Sequence, residues 1–372
     1  MENPVRVAMT VEQCWQPVPG GSGSYIAELS GALAALGSAR VVGVAARHPA
    51  ADLPRPLLSV PVRHSRLPRV ALYESWSRWR RPRVERLAGP TDVVHATTWA
   101  IPGHRRPLVV TVHDLAFLRD PGHFTERGNA FFRRALRIVR DEAAGIVVPS
   151  ESTRADCVAE GLDPARLTVV PHGVRAAPVT SERVAAWRAA HGLERPYVLW
   201  CGTLEPRKNV VRLVEAFARA RAARLIEHDL VLVGPAGWGG SGAQVEQALS
   251  VLPAGAVHML GRLDDADLQT AYAAASAFAF PSLWEGFGMP VLEAMAHGVP
   301  VVTSAGTSMA EFAGSSAQLV DPLDVDAIAA GLVRAVSVAA PSAELVETAA
   351  GFTWEASARA HVAVYRAAAP SG

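Results

Sequence analysis

Two carboxylates, Glu285 and Glu293, lie close together in the run Pro281-Ser282-Leu283-Trp284-Glu285-Gly286-Phe287-Gly288-Met289-Pro290-Val291-Leu292-Glu293-Ala294-Met295-Ala296-His297-Gly298. An apolar run, Ala277–Pro281, reads as a buried strand. Glu285 then falls on a glycine loop, and Glu293 falls in a helix that Pro290 opens and Gly298 closes. A carboxylate in an apolar helix is costly to bury unless donors reach it. Ribose hydroxyls are such donors, and glycines beside Glu285 let backbone amides approach a sugar or a diphosphate. A lone glutamate would read as a surface residue or a helix-dipole partner; the pair in this setting reads as a binding site.

A second cluster is Thr203-Leu204-Glu205-Pro206-Arg207-Lys208-Asn209. It joins a strand, Tyr197–Thr203, to a helix carrying apolar Val210, Leu213, Val214 and Phe217, with Asn209 as the expected N-cap. Two cations ahead of a helix N-terminus oppose its dipole, and a bound anion would reverse that cost. Arg offers phosphate a planar fork and Lys a point charge. The plainer alternative is a solvated basic turn. A third candidate is Pro19-Gly20-Gly21-Ser22-Gly23-Ser24-Tyr25, between the first strand and a helix expected over Ser24–Leu36. Its amides suit an anion, although it also reads as a turn capped by Ser24. It is not a dinucleotide fingerprint, because Ile26 holds the position of the third glycine.

The elements that must position these loops alternate along the chain. Val5–Thr10, Arg40–Ala45, Asp92–Ala96, Leu108–Val112, Gly145–Pro149 and Leu167–Pro171 read as strands, with amphipathic stretches such as Asn129–Glu142 between them. The pattern restarts with Tyr197–Thr203, Asp229–Gly234, Ala256–Leu260, Ala277–Pro281 and Pro300–Ser304. Such alternation predicts α/β architecture with parallel sheets, here two doubly wound, Rossmann-like domains facing across a cleft. The expected division is 1–180, 181–352 and a tail over 353–372 that forms a C-terminal helix. Arg175–Pro196, rich in Ala, Pro and charge, marks the boundary and includes a short helix around Ser181–His191. The tail Glu344–Pro370 has helical spacing, with loose last residues.

Composition narrows the class. The 372 residues carry a formal net charge of +1, so no global field favours nucleic acid. Cys14, Cys157 and Cys201 are scattered without a CxxC, which suggests neither zinc nor a disulfide framework. The start MENPVRVAMTVEQ lacks a signal-peptide pattern, and no uncharged apolar run is long enough to span a bilayer. The expected location is cytoplasmic, with membranes met only from the side. Within Arg66–Leu87, seven arginines face two glutamates, with Trp76 and Trp79 three apart. This stretch suits an anionic membrane surface or a lipid-linked acceptor, or else a packed helix with a solvated basic face; Pro82 breaks it.

The Glu285-x7-Glu293 string, with its flanking Ser-Leu-Trp and Ala-Met-Ala-His-Gly-Val-Pro-Val-Val, resembles the signature of GT4-type retaining glycosyltransferases of the GT-B fold. Further motifs fall in that family's order. They are Gly20-Gly21, Thr111-Val112-His113-Asp114-Leu115, Val147-Val148-Pro149-Ser150-Glu151-Ser152, Val169-Val170-Pro171-His172-Gly173-Val174, Glu205 through Asn209, and Gly261-Arg262-Leu263-Asp264-Asp265. The His-Asp-Leu context is similar to mannosyltransferase-type members. The resemblance implies transfer of a hexose, with retention, from a nucleotide-diphosphate sugar to a hydroxyl acceptor: a glycan, a lipid-linked glycan or a small molecule. It implies that Glu285 contacts the donor sugar, Glu293 the ribose, and Arg207 with Lys208 the leaving diphosphate. Gly286, Phe287, Gly288 and Gly21 would hold sugar and phosphate, and His113 would reach the sugar. Leu263 and Asp265 would border the base, where Asp265 can accept from guanine N1–H and N2–H₂; GDP-mannose is the donor expected. His172-Gly173 departs from the family's Asn-Gly, in a turn that needs mainly the glycine. The tail resembles a final helix that crosses back to the first domain. No cofactor or metal is expected, since no Asp-x-Asp ends a strand; Asp264-Asp265 and Asp324-x-Asp326 read as helix-start carboxylates. The rival readings are a catalytically silent, nucleotide-sugar-binding partner subunit, a sugar-nucleotide epimerase, and a phosphorylase, which would need a cofactor-bearing lysine.

Overall fold

A computed structural model of the chain describes residues 3–235, 241–250, 252–338 and 340–369. The chain forms two compact units. The first comprises Met1–Gly173 and Thr353–Gly372, and the second Val174–Phe352. Val174–Thr180, expected in the first domain, therefore belongs to the second. The final helix, Trp354–Ala368, packs on the first unit against the helix Gly20–Leu36 and the sheet. The residues expected to be loose at the very end lie outside the described part.

The first unit is built on a parallel sheet of seven strands. These are β1 (Val5–Thr10), β2 (Ala39–Ala45), β3 (Val62–His64), β4 (Val93–Ala96), β5 (Leu108–Thr111), β6 (Ala143–Val148) and β7 (Leu167–Val169), in the order β3-β2-β1-β4-β5-β6-β7. Alternate side chains feed two cores. Ala8, Val44, Val94 and Val110 pack on one face; Val7, Met9, Val41, Val93, Val109 and Val147 pack on the other, beneath Ala358, Val362 and Tyr365 of the final helix. Each such fully buried Val contributes roughly 1.5–3 kcal/mol, which explains why β-branched runs mark the strands.

The second unit holds a parallel sheet of six strands: β8 (Tyr197–Cys201), β9 (Asp229–Val233), β10 (Val257–Gly261), β11 (Ala277–Phe280), β12 (Val301–Ser304) and β13 (Gln318–Val320), in the order β10-β9-β8-β11-β12-β13. The strand order reverses between β1 and β4 in one sheet and between β8 and β11 in the other. Ligands of doubly wound sheets bind beyond the carboxyl ends of the strands at such points. The loops after β8 and β11 are the Arg207-Lys208 and Glu285 loops.

Two strands, β3 and β13, were not expected. Each is a three-residue edge strand, with two side chains exposed in β3 and one in β13, too short to show a period. The first helix begins at Gly20, not Ser24, so the glycines form its first turn and no side chain caps it. Gly23 donates to the Pro19 carbonyl at 3.2 Å. A Cβ on Gly23 would lie 2.4 Å from Pro19 Cβ, so glycine serves close packing there and not an open loop. Gly173 likewise meets the Trp354 backbone, 2.2 Å from where its Cβ would stand. Its glycine is required by that approach, with no left-handed turn involved.

The Arg66–Leu87 stretch splits its tryptophans. A helix spans Arg69–Trp79 and ends at Arg80, which adopts a left-handed conformation (φ 54°) ahead of Pro82. Trp76 is buried in the core and donates to the Pro82 carbonyl at 3.0 Å, whereas Trp79 is 68% exposed. Only Trp79 of the pair stands at the surface. No described helix is long and apolar enough to cross a membrane.

Candidate active site

In the second unit the loop after β8 forms a short 3₁₀ turn, Pro206–Lys208. Asn209 follows at φ 60° and does not cap the next helix through its side chain. Its amide instead donates to the carbonyls of Pro281 (2.9 Å) and Pro322 (2.6 Å), stapling this loop to the one after β11. Leu283 N–H, donating to the Arg207 carbonyl at 2.8 Å, adds a second tie. The two loops therefore hold their side chains in fixed register.

Those side chains are charged. Arg207 donates to Glu285 Oε2 and Lys208 to Glu285 Oε1, both at 2.6 Å, while Arg207 Nε donates to Glu205 at 2.9 Å. The Arg207 guanidinium lies 5.0 Å from the centre of the Trp284 ring, and Lys208 Nζ lies 4.7 Å from that of Phe280. Burial alone would raise the Glu285 pKa, but the two cations overcome it and hold the carboxyl at about 2. Burial pulls the Lys208 pKa down from its usual range, against the opposing pull of Glu285. The cation pair that looked ill-placed beside a helix N-terminus is thus balanced from within the protein, by a residue far away in sequence.

The glycine loop is equally constrained. Ser308 Oγ donates to the carbonyls of Glu285 (2.8 Å) and Phe287 (3.2 Å), and Phe287 packs on Phe312. Gly288 sits at φ 97° against Met309, whose Cγ would be 2.3 Å from an added Cβ. Only glycine fits there. The helix Met289–Ala296 begins at once and carries Glu293 on its second turn. Glu293 is half-buried and accepts from the Tyr272 hydroxyl at 2.8 Å; burial raises its pKa, as does nearby Asp265, while Tyr272 lowers it. Asp265 is exposed at the start of the helix Asp265–Ala273, capped by Asp264, and Leu263 packs against the core beside it. Asp324 caps the helix Val325–Val336.

In the first unit the ends of β1 and β4 are laced together. Thr97 N–H donates to Thr10 Oγ1 at 3.0 Å, and Thr97 Oγ1 donates to the Thr10 carbonyl at 2.5 Å. The Thr97 carbonyl accepts from His113 Nε2 at 3.0 Å. A carbonyl only accepts, so in the neutral ring Nε2 carries the proton and Nδ1 keeps a lone pair. Tyr25, on the helix whose first turn contains Gly21, meets the His113 ring edge-on at 4.8 Å, and His172 lies 5.6 Å away. Burial lowers the His113 pKa against the opposing effects of Asp114 and the Thr97 bond.

Behind His113 runs a buried relay that sequence reasoning missed. Its tautomers follow from one fixed end. The Ser357 carbonyl accepts from His361 Nδ1 (2.8 Å), so Nε2 of that ring accepts from the Tyr25 hydroxyl (2.9 Å). Tyr25 in turn accepts from Thr111 (2.7 Å), Thr111 from His95 Nε2 (2.8 Å), and His95 Nδ1 from Tyr365 (2.8 Å). Burial holds His361 down at about 4 and His95 well below its usual value. The only sequence signal was His361 and Tyr365, four apart in an Ala-rich helix.

The structure thus brings together Glu285, Arg207, Lys208 and the loop Gly286–Gly288, and puts Glu293, Asp265 and Leu263 in the same unit. His113 and Gly21 stand in the first unit, joined through Tyr25. Among the described residues no cluster of His, Cys, Asp and Glu suits a metal ion.

Known proteins share this organisation. The family described as "Glycosyltransferase Family 4" matches residues 19–177, and "Glycosyl transferases group 1" matches residues 184–350. The chain is 31% identical to the O-antigen chain mannosyltransferase B of Escherichia coli over 282 residues, 71% of each protein. It is 27% identical to the MMP alpha-(1->4)-mannosyltransferase of Mycolicibacterium hassiacum, over 94% of this chain and 95% of that one. Among solved structures, Anabaena Alr3699/HepE in complex with UDP and glucose superposes with a TM-score of 0.76 at 18% identity, covering 97% of this chain and 99% of that one. The sucrose-phosphate synthase of Thermosynechococcus elongatus does so with a TM-score of 0.75 at 22% identity, covering 97% and 98%. The structural likenesses show the fold, and the sequence matches show the family: the chain belongs to the group 1, family 4 glycosyltransferases of the GT-B fold.

Proposed function

We propose that the chain is a retaining, metal-independent hexosyltransferase that moves mannose from GDP-mannose to a hydroxyl of a glycan or lipid-linked glycan, on the cytoplasmic side. The observation that carries this reading is the convergence of Arg207 and Lys208 on one carboxylate beside the loop Gly286–Gly288. A departing diphosphate builds negative charge, and cations held in a half-dry site stabilise it. That is the task a divalent ion performs in other transferases. Before donor arrives, Glu285 occupies both cations; when phosphate takes its place, the carboxylate is released toward the hydroxyls of the sugar. Glu293 grips the ribose, and His113 and Gly21 take part in sugar recognition. The donor's own phosphate oxygen receives the acceptor proton as the leaving group departs.

Relatives named mannosyltransferases favour mannose. The exposed Asp265 favours guanine, whose edge presents paired donors. The likeness to a protein solved with UDP and glucose makes UDP-glucose the donor to compare.

The test is turnover of a nucleotide-sugar panel by the purified protein in excess chelator. GDP-mannose should be consumed and the new bond should keep the anomeric configuration of the donor. Activity abolished by chelator and restored by Mg²⁺ or Mn²⁺ would overturn the charge-neutralising role of the cations. Binding without turnover of any donor would point to a silent partner subunit. Charge-assisted hydrogen bonds are worth about 1.5–3 kcal/mol, so Arg207→Ala should weaken GDP binding at least about tenfold. Calorimetry showing unchanged affinity removes Arg207 from the site.

A further inference from the structure

Tyr272 is fully buried, lies outside every motif the family resemblance supplied, and ends its side chain on Glu293. Its ring is held from two sides, by Phe278 (centres 5.5 Å apart) and by His297, stacked at 6.0 Å with planes 12° apart. His297 is itself fixed, because its Nε2 donates to Gln269 Oε1 at 2.7 Å and Gln269 Oε1 also accepts from Ala177 N–H. Tyr272 and Gln269 both stand on the helix Asp265–Ala273, while Glu293 and His297 share the neighbouring helix region. The phenol therefore has one orientation, and its proton goes to Glu293 Oε2 at 2.8 Å. Among the described residues Tyr272 alone donates to this carboxylate, which leaves Oε1 as the oxygen open to a ligand.

We propose that Tyr272 is a positioning residue that presents Glu293 to the donor: by occupying Oε2 it fixes the rotamer of the carboxylate and directs Oε1 at the ribose hydroxyls. The inference rests on the reading of Glu293 as the ribose ligand. A carboxylate held by one donor accepts the ribose hydroxyls without first losing rotamer freedom. The same bond also favours the ionised form of Glu293. Burial and Asp265 favour its neutral form, whereas the Tyr272 proton opposes them. The groups facing Glu293 are Asp265 and Tyr272 from one helix and Cys201 at the end of β8; His297, just past the end of the helix that carries Glu293, packs on the Tyr272 ring. Burial and the neighbouring Cys201 and Glu293 push the phenol well above its usual range, so Tyr272 stays a donor throughout the accessible pH range.

Tyr272→Phe removes the hydroxyl and little else. Affinities of GDP and UDP, each paired with its 2′,3′-dideoxy counterpart, would be measured by calorimetry between pH 5 and 8 for wild type, Y272F, E293Q and the double variant, with melting curves to confirm folding. The ratio of ribo to dideoxy affinity isolates the ribose contact, since both nucleotides carry the same titrating diphosphate. Losing one net hydrogen bond should lower this ratio about three- to tenfold in Y272F. The pH below which the ratio declines should also move upward, because Glu293 then protonates earlier. In the E293Q background, Y272F should change the ratio no further. An unchanged ratio in E293Q, or no wild-type binding of either nucleotide, overturns the ribose reading and the inference with it. A reduced ratio in E293Q with an unshifted, undiminished profile in Y272F overturns the positioning role alone. Equal losses for ribo and dideoxy nucleotides in Y272F would mark Tyr272 as merely structural and likewise overturn it.

Discussion

At the switch point of the first sheet, the polar groups gathered behind His113 are neutral. Tyr365, His95, Thr111, Tyr25 and His361 donate hydrogen bonds in one direction between two points on the same helix. At the switch point of the second sheet, the groups are charged: Arg207 and Lys208 against Glu205 and Glu285. Both arrangements satisfy buried polar atoms, but only the second stores charge that an incoming anion can redirect. The neutral relay is suited to hold a ring still; the ion cluster is suited to change partners. Two domains of one fold class thus solve the same burial problem with opposite electrostatics.

The largest effect expected from breaking this contrast is in the second unit. Glu285→Ala takes the carboxylate from Lys208 and leaves Glu205 alone to face two cations in a poorly hydrated site, and removing one partner of a buried pair costs about 3–5 kcal/mol. Because burial already lowers the Lys208 pKa, the variant should recover part of the loss as pH rises and Lys208 sheds its proton. Denaturant titrations at pH 7 and pH 9 would show this. A variant as stable as wild type at pH 7 would mean the cluster is solvated after all.

Next in size is a difference in acid sensitivity. His361 has a folded pKa of about 4 against an ordinary value of 6.5, so the unfolded chain takes up its proton first as pH falls. Its contribution, roughly 3 kcal/mol, is complete above pH 6.5 and is lost on the way down to about 4. His95 adds in the same direction. Glu285, held at about 2 against 4.5, keeps its contribution at pH 5 and loses it only below 4.5. Hydrogen exchange at pH 7 and pH 5, corrected for intrinsic rates, should therefore show β4, β5 and the helix Trp354–Ala368 loosening before β8 and β11. His297 and His228 give the second unit a smaller share of the same dependence. Earlier loosening of the second unit would reverse the comparison.

The smallest effect concerns the surface of the first unit. Trp79→Ala should change stability by no more than about 0.5 kcal/mol, whereas Trp76→Ala should cost about 3–5 kcal/mol. If the basic stretch meets an anionic surface, Trp79→Ala should also weaken sedimentation with anionic vesicles at low salt. No dependence on anionic lipid even at low salt assigns the arginines to solvation, and equal binding by wild type and variant removes Trp79 from the contact.

The charged site was more legible in the sequence than the neutral one, for a physical reason. Arg207-Lys208 and Glu285-x7-Glu293 break local rules, with cations at a helix start and a carboxylate in an apolar helix, and broken rules stand out. Their mutual pairing did not show, because seventy-odd residues separate the partners and no local pattern records that distance. The relay breaks no local rule. Tyr25, His95 and His361 look like ordinary core aromatics until the sheet brings them together. The strands with apolar runs were readable to within a residue or two, while β3 and β13 lacked the apolar period that makes a strand visible. Gly23 was read as part of a loop because composition tells of glycine, whereas the demand for it came from Pro19.

The return of the last helix to the first unit has a consequence for synthesis on the ribosome. Strands β1–β7 emerge roughly 180 residues before the segment that covers them, an interval of about 10–40 s at usual elongation rates. Throughout that time Tyr25 and His95 lack Ser357, His361 and Tyr365, and the face carrying Val7, Val109 and Val147 lacks its lid. The second unit, an uninterrupted block of chain, can finish first. The domain begun earliest is completed last, so its nascent form is the one exposed to holding chaperones and to truncation from the far end of the message.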